Sequence, residues 1–274
     1  MANERFITPS FEVAETYGLV YGTGSVGAPP RGAKDLLCDL YLPGRNGRPN
    51  RRPALVVLHG GGFSEGARDN PGPVSLCRAY AGRGYVAASI DYRLAGDDPT
   101  GGPGPTPGST VMERAVNAAV RDAAKAVRWL RTHADRFRID PECIAVAGSS
   151  AGAVAALLMA NERPAVVGEN ARVAAVVDLW GGMVGGESLV VAGAPPVFIV
   201  HGTGDDTVPL EASHTLVERL EATGVPYRFL PIERCGHPCW TGFFTTLVDG
   251  RTVDRHCADF LYEHLRLAGI DSRG

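Results

Sequence analysis

Short apolar runs alternate with longer amphipathic stretches along most of the chain. Most of the short runs are continuously apolar and rich in Val and Ile, which is typical of strands covered on both faces of a sheet. They span residues 54–58, 86–90, 143–147, 173–177, 196–200 and 227–231. The longer stretches have helical periodicity and span residues 74–83, 112–134, 151–162, 210–223 and 252–267. This alternation predicts an α/β fold with a mostly parallel central sheet flanked by helices and joined by right-handed crossovers.

The N-terminal region has a different pattern, in which apolar and polar residues alternate. Residues 38–42 read Cys-Asp-Leu-Tyr-Leu, and residues 10–42 as a whole predict antiparallel strands at one edge of the sheet. Two stretches rich in Gly and Pro, 22–32 and 95–108, predict surface loops, and the second predicts a mobile flap. The length of 274 residues fits one large domain spanning residues 1–274.

The amino-acid composition of the chain excludes some classes of function and partner. The chain is 45% hydrophobic and 21% charged, with a formal net charge of −3 and no block of Lys or Arg, so nucleic acid is excluded as a partner and a small molecule is expected. No apolar run approaches the roughly 20 residues of a membrane span. Residues 1–6 lack the start of a secretory signal, which predicts a cytoplasmic protein unless a signal has been removed. The six cysteines are spread along the chain, and we expect buried free thiols.

The strongest chemical motif is Gly-Ser-Ser-Ala-Gly at residues 148–152, between a predicted strand and a predicted helix. A sharp turn in that context strains the backbone of the middle residue and lifts its hydroxyl to the positive end of the following helix. Ser150 is therefore the predicted nucleophile. Ser149 is a weaker candidate because it is not held between the two glycines, and a turn without chemistry is the alternative.

A second glycine run, His-Gly-Gly-Gly-Phe at residues 59–63, also follows a predicted strand. Glycines at a strand end leave backbone N–H groups unobstructed, as an oxyanion hole requires. We predict that the N–H groups of Gly61, Gly62 and Ala151 form this hole. A phosphate loop is the alternative, but the run lacks the Lys and Ser/Thr of a P-loop and the spacing of a dinucleotide motif. His59 is expected to hydrogen-bond the loop.

Residues 201–209 read His-Gly-Thr-Gly-Asp-Asp-Thr-Val-Pro and follow a further predicted strand. A carboxylate just beyond this strand can face the same sheet edge as the nucleophile. Asp205 is the predicted acid, Asp206 is its rival, and Asp178, at the end of the preceding strand, is a third possibility. His201 is expected to hold the loop that carries Asp205.

The predicted base is His237, in the segment Cys-Gly-His-Pro-Cys at residues 235–239. It stands last in the chain order of serine, acid and histidine. The other candidates lie on predicted helices, namely His133, His214, His256 and His264. Cys235 and Cys239 suggest a metal, but there is no second Cys/His pair at zinc spacing, so no metal is predicted. A disulfide between them, or from either to Cys257, is an alternative to the free thiols that we favour.

Five motifs together resemble a known group of proteins. They are HGGGF at 59–63, DYRL at 91–94, AVRD at 119–122, GSSAG at 148–152 and HGTGD at 201–205. They are similar to the bacterial carboxylesterase and feruloyl-esterase-like branch of the α/β-hydrolase superfamily, over residues 37–265. The first two motifs are shared with hormone-sensitive-lipase-like esterases. The segment around Asp205 is more similar to dienelactone hydrolases and prolyl-oligopeptidase-like enzymes.

The resemblance implies that Asp205 rather than Asp206 is the acid, because the shared pattern reads H-G-x-x-D-x-x-V-P. The chain departs from the group at two places. Ala153 replaces a second glycine, and Arg-Cys-Gly-His at residues 234–237 replaces the usual Gly-Ala-Gly-His. Neither departure removes a reacting group.

The function implied is a serine carboxylesterase that needs no cofactor and acts on short-acyl or aromatic-acyl esters. Roughly 15 residues separate Gly181 from Pro196, where many relatives insert a lid, so an open site without a large lid domain is expected. We expect Phe63, Trp180 and Trp240 to line it. An amidase, such as a kynurenine-formamidase-like hydrolase, is the main alternative. A non-catalytic binding protein is less favoured because all three triad residues are present.

Overall fold

The computed structural model of the protein describes residues 5–27, 32–44, 51–100, 110–162, 164–168 and 170–270. Within them, eight strands form one sheet in the order β1-β2-β4-β3-β5-β6-β7-β8. These strands are β1 (Val13–Val26), β2 (Gly32–Pro43), β3 (Arg52–Leu58), β4 (Val86–Ile90), β5 (Ile139–Ser149), β6 (Ala175–Leu179), β7 (Val197–Gly202) and β8 (Tyr227–Ile232). A small hairpin is formed by β9 (Leu247–Val248) and β10 (Arg251–Thr252).

The helices pack on both faces of the sheet. They are α1 (Pro71–Gly82), α2 (Val111–Thr132), α3 (Ala134–Phe137), α4 (Ala151–Asn161), α5 (Pro164–Val167), α6 (Glu211–Thr223), α7 (Trp240–Thr245) and α8 (Val253–His264). Buried residues of α2, α4 and α6 form one hydrophobic core, and those of α1, α7 and α8 form the other. Neighbouring side chains of β3 enter opposite cores, with Val56 in the first and Val57 in the second. Cover on both faces explains why the strand sequences are continuously apolar.

The pairing of the strands confirms the predicted fold class. β2 is antiparallel to both β1 and β4, whereas β3 to β8 pair only in parallel with one another. The carboxyl ends of the parallel strands therefore meet at one edge of the sheet. Residues 180–196, between β6 and β7, contain the 3-10 helix Glu187–Leu189 and no inserted domain. Among the described residues, no helix has both the length and the apolar character needed to cross a bilayer.

Some predicted boundaries differ from the structure. β6 begins at Ala175, two residues later than predicted. The loop predicted from Gly22 is wrong as far as Val26, because β1 stays paired with β2 up to the pair Val26 and Gly32. Most of the predicted flap, residues 101–109, lies outside the described residues.

Two of the sequence motifs meet in a buried ion pair. The Arg93 guanidinium donates to both carboxylate oxygens of Asp122 at 2.8 Å, and the two side chains are 3% and 0% exposed. A Cβ on Gly24 in β1 would lie 2.3 Å from Arg93 Nε, so a glycine is needed there. The pair joins the segment after β4 to α2. Removing Asp122 would leave the buried Arg93 charge uncompensated, whereas Asp122 also pairs with Lys125 at 3.0 Å.

Candidate active site

Ser150 lies at the sharp turn between β5 and α4. Its backbone has φ 53° and ψ −126°, a conformation that non-glycine residues rarely adopt. The two flanking glycines are required by close backbone contacts. A Cβ on Gly148 would lie 2.2 Å from the carbonyl carbon of Gly152, and a Cβ on Gly152 would lie 2.4 Å from the His59 carbonyl oxygen. The turn therefore forms only where strand and helix can approach this closely.

His237 lies in the loop after β8 and contacts two of the other predicted residues. Its Nε2 is 2.9 Å from Ser150 Oγ, and its Nδ1 is 2.8 Å from Asp205 Oδ2. An imidazole protonated on Nδ1 satisfies both contacts, since Nδ1–H donates to the carboxylate and Nε2 accepts from the serine hydroxyl. The three side chains thus form one continuous chain of hydrogen bonds.

The Asp205 carboxylate is buried at the end of β7, with an exposed side-chain fraction of 0%. The backbone N–H groups of Thr207 and Val208 both donate to its Oδ1 at 2.9 Å. Burial raises the pKa of Asp205, but the Val208 N–H, His237 and the Thr207 N–H together outweigh burial and lower it overall. The carboxyl group is therefore ionised while it accepts the hydrogen bond from the imidazole Nδ1–H.

The rival residues lie in other environments. Asp206 is exposed and accepts from the Thr207 hydroxyl at 3.3 Å. Asp178 is fully buried, and its Oδ1 accepts from the N–H groups of Gly181 and Gly182 at 3.0 and 3.3 Å. In the described part of the chain, neither these carboxylates nor the Ser149 hydroxyl hydrogen-bonds to His237.

His201 and its partners hold the loop that carries Asp205. Its Nε2–H donates to the Val208 carbonyl at 2.9 Å, and its Nδ1 accepts from the Ser213 hydroxyl at 2.8 Å. Burial lowers the pKa of His201, which favours the neutral imidazole. Its Nε2 also lies 3.3 Å from Asp205 Oδ2, a contact that we did not predict. The spacing of four residues between them was the available signal.

The glycine run after β3 lies directly against the nucleophile. A Cβ on Gly60 would be 3.2 Å from Ser150 Cβ. Gly61 and Gly62 have φ of 115° and 58°, and their N–H groups have no acceptor among the described residues. The N–H of Ala151, the first residue of α4, likewise has no intrahelical partner. Backbone N–H groups without a hydrogen-bond acceptor among the described residues therefore lie on the loop next to Ser150 and at the first residue of the helix that follows it.

The first residue of this run, His59, is buried behind it. Its Nδ1–H donates to the Gly60 carbonyl at 2.7 Å, and its ring stacks on Tyr92 with centroids 4.3 Å apart. The Tyr92 hydroxyl donates to the His59 carbonyl at 2.8 Å. Burial lowers the pKa of His59, so a neutral ring is favoured. His59 therefore hydrogen-bonds the glycine loop, as the sequence predicted.

A cleft of about 790 Å³ opens above these residues. Trp240 is half-buried and forms part of its wall. Trp180 borders the cleft beneath it, meeting Trp240 edge to face with ring centroids 5.0 Å apart, but Trp180 is 0% exposed. Phe63 does not line the cleft; it is 7% exposed and packs on Tyr92 in the core. Of the three aromatic residues predicted for substrate contact, Trp240 therefore presents surface to the cleft, whereas Trp180 and Phe63 are core residues.

Cys235 and Cys239 form a disulfide, so the expectation of free thiols is wrong for this pair. The turn through His237 brings their Cα atoms to 5.8 Å, within the range that a bridge requires. A Cβ on Gly242 in α7 would lie 2.6 Å from Cys239 Sγ and 2.9 Å from Cys235 Sγ. The bridge therefore packs directly on α7. The other cysteines are buried thiols that form no disulfide, as expected: Cys38, Cys77, Cys143 and Cys257.

Two family profiles match different parts of the chain. Residues 35–166 match the carboxylesterase family, and residues 187–267 match the prolyl oligopeptidase family. The first segment contains the glycine run and the Ser150 turn, and the second contains Asp205 and His237. This division agrees with the mixed resemblance of the motifs.

Individual proteins show the same likeness. Carboxylesterase NlhH of Mycobacterium tuberculosis is 37% identical over 109 residues, which is 40% of this chain and 29% of that protein. Esterase LipC of the same organism is 28% identical over 224 residues, covering 65% of this chain and 51% of that protein. The chain thus aligns with about half or less of the length of these relatives.

A solved structure matches over nearly the whole chain. The apo form of Thermogutta terrifontis esterase 2 has a TM-score of 0.66 and 25% identity, covering 96% of both chains. The same esterase has been solved with butyrate bound, with a TM-score of 0.65, 25% identity, and 96% of this chain and 95% of that chain covered.

Proposed function

Because the chain is an α/β-hydrolase of the carboxylesterase type, we propose that it is a serine carboxylic ester hydrolase. In this proposal Ser150 is the nucleophile, His237 the base and Asp205 the acid. The observation that carries it is the hydrogen-bond chain from Ser150 through His237 to Asp205, with distances of 2.9 and 2.8 Å. Nucleophile, base and orienting acid in contact are what covalent acyl transfer requires.

The first step forms an acyl-enzyme. His237 Nε2 takes the hydroxyl proton as Ser150 Oγ attacks the ester carbonyl carbon, and Asp205 stabilises the imidazolium that results. The tetrahedral intermediate collapses when the bond between carbon and alcohol oxygen breaks. His237 gives its proton to the departing alcohol. In the second step His237 takes a proton from water as the water oxygen attacks the acyl carbon. The bond between that carbon and Ser150 Oγ then breaks, His237 returns the proton to Oγ, and the acid is released.

The oxygen of the tetrahedral intermediate needs donors in fixed positions. We assign the N–H groups of Gly61, Gly62 and Ala151 to this role, because none has an acceptor among the described residues, Gly61 and Gly62 line the cleft with Ser150, and Ala151 directly follows Ser150. Backbone donors held in place before the reaction stabilise the developing charge without reorganising. The loss of one such donor typically costs about 10²- to 10³-fold in kcat.

For the substrate, we propose short-acyl or aromatic-acyl esters. Trp240, packed on the buried Trp180, offers flat apolar surface in the cleft, whereas the short connection between β6 and β7 supplies no further apolar wall for a long chain. The related Thermogutta esterase 2 has been solved with butyrate bound, which supports a short acyl group here.

The test is a panel of p-nitrophenyl esters of increasing acyl length, beside feruloyl, acetyl-sugar and N-formyl substrates. Chains longer than roughly eight carbons should be poor substrates. Ser150→Ala should lower kcat on the order of 10⁶-fold without unfolding the protein, and an organophosphate should label Ser150. Labelling at Ser149, or preferred hydrolysis of N-formyl amides, would contradict the proposal.

A further inference from the structure

Glu65 is a charged residue of the cleft that the proposed mechanism does not use. Its backbone N–H donates to the Gly61 carbonyl at 3.0 Å. A Cβ on Gly61 would lie only 3.1 Å from Glu65 Cγ, so the side chain begins directly beside the glycine that we assign to the oxyanion hole. The residue is exposed and lines the cleft together with Ser150 and His237.

The charge of Glu65 is not balanced by a neighbouring cation. The described residues that line the cleft include no Lys or Arg and no acidic residue besides Glu65. Among the described residues, the Glu65 carboxylate makes no ion pair or side-chain hydrogen bond.

The nearest guanidinium in the sequence is already engaged elsewhere. Arg68 donates to Asp39 at 2.8 Å and to Asp91 at 2.5 Å. Its charge is therefore matched by two carboxylates and is not available to Glu65. The cleft keeps one unmatched negative charge close to the reacting serine.

Resting on the proposed ester hydrolysis, we propose that Glu65 is a specificity-determining residue that favours esters carrying a cationic group. A carboxylate beside the oxyanion hole opposes the negative charge that develops there. It is therefore unfavourable for a neutral or anionic ester and becomes favourable when the substrate brings a positive charge. Trp240, in the same cleft, adds an aromatic ring of the kind that attracts organic cations.

The size of the preference for cationic esters depends on how exposed Glu65 is to solvent. An exposed charge pair at a few ångströms interacts weakly and is screened by salt. We therefore expect a preference of about two- to fivefold in kcat/KM at low ionic strength, which is on the order of 1 kcal/mol or less at 1.4 kcal/mol per tenfold. The preference should decline as salt is added.

The test uses pairs of substrates with the same shape and different charge. Butyrylthiocholine and its neutral analogue, the 3,3-dimethylbutyl thioester of butyric acid, place the charge in the leaving group. The p-nitrophenyl esters of 4-(trimethylammonio)butyric acid and 5,5-dimethylhexanoic acid place it in the acyl group. The wild-type protein should prefer the cationic member of at least one pair. Glu65→Gln should bring that ratio close to one, whereas Asp69→Asn, an exposed carboxylate outside the cleft, should leave it unchanged.

The outcomes separate the two proposals. Equal ratios in the wild-type protein and in Glu65→Gln would overturn the role of Glu65. So would a variant that melts normally but loses activity on the neutral esters, because that result would assign Glu65 to the shape of the loop. Failure of the wild-type protein to hydrolyse any neutral ester would instead contradict the proposed function.

Discussion

The turn that carries Ser150 and the loop that carries His237 are held in place by different means. Ser150 stands between two buried elements, β5 and α4, and its flanking glycines touch neighbouring backbone so closely that no Cβ fits. The His237 loop lies at the surface, with Gly236 and Pro238 exposed, and a disulfide joins its two ends. Packing fixes the proposed nucleophile, and a covalent bond restrains the proposed base.

This difference predicts whether a substitution in each region lowers stability or lowers activity. The Ser150 turn shares its contacts with the core, so a change that disturbs it should also destabilise the fold. The His237 loop touches the core at its ends, through Cys239 and the bridge on α7, but residues 236–238 between the cysteines are exposed or half-buried, so their geometry can be altered while the fold persists. Substitutions in the two regions should therefore separate loss of stability from loss of activity.

Among substitutions that leave Ser150 in place, the largest effect is expected at Asp205, the partner of the base. Asp205→Asn should lower kcat about 10⁴-fold, because the imidazole loses the acceptor that fixes its tautomer. Asp206→Asn is the matched control and should change kcat far less. Steady-state kinetics on p-nitrophenyl acetate with both variants measures this. A larger loss in Asp206→Asn would place the acid one residue further along the chain.

In the Ser150 turn, Gly152→Ala should mainly lower the stability of the protein. The new Cβ would lie 2.4 Å from the His59 carbonyl oxygen and 2.5 Å from that of Leu58, so backbone must move. We expect a loss of about 3 kcal/mol in the free energy of unfolding, measured by urea denaturation. Gly96→Ala is the control, since nothing lies within 4 Å of its Cβ. Equal stability of the two variants would refute the packing argument.

In the His237 loop, replacing Cys235 and Cys239 together by Ser should mainly lower kcat. We expect kcat to fall roughly tenfold as the base becomes less well positioned, while stability falls by about 2 kcal/mol or less because the closed loop is short. A mild reductant should reproduce the loss in the wild-type protein and have no effect on the double variant. Six free thiols in unreduced protein would show that the bridge is absent.

The smallest effect concerns a carboxyl group beneath the Ser150 turn. Burial raises the pKa of Asp178 to about 7, and the N–H groups of Gly182 and Gly181 offset only part of this. Between about pH 4 and pH 7 the folded protein then holds a proton that the unfolded chain has released, so stability falls as pH rises.

Asp178→Asn keeps an acceptor for both N–H groups and has no proton to lose. Its free energy of unfolding should therefore change less between pH 5 and pH 8, by on the order of 2 kcal/mol. Denaturant titrations of both proteins at the two pH values measure this difference. Parallel pH dependences would show that Asp178 does not titrate as argued.

The sequence predicted most of the fold because its signals are local. Apolar runs placed β3 and β4 within two residues of their observed bounds. The boundary of β1 was harder, because Gly24 looked like a loop residue. Its lack of a side chain instead accommodates Arg93 from another part of the chain. Such a contact cannot be read from local composition.

For the site, motif and chain order brought forward Ser150, Asp205 and His237, which the structure places in mutual contact. Other features depend on direction or distance in space. The sequence could not show that Phe63 points into the core, or that Cys235 and Cys239 come within bonding range. Glu65 belongs to no motif, and its importance is visible only from the other residues of the cleft.

The short connection between β6 and β7 has a consequence for poorly soluble esters. Its 3-10 helix is anchored to α6, where Arg219 Nε donates to the Val190 carbonyl at 2.9 Å. A short segment held in this way cannot act as a lid that opens at an oil–water interface. Where a mobile lid would make the rate jump once an ester separates as droplets, this connection gives no such trigger. The rate should instead follow the concentration of dissolved ester and level off when the solution is saturated.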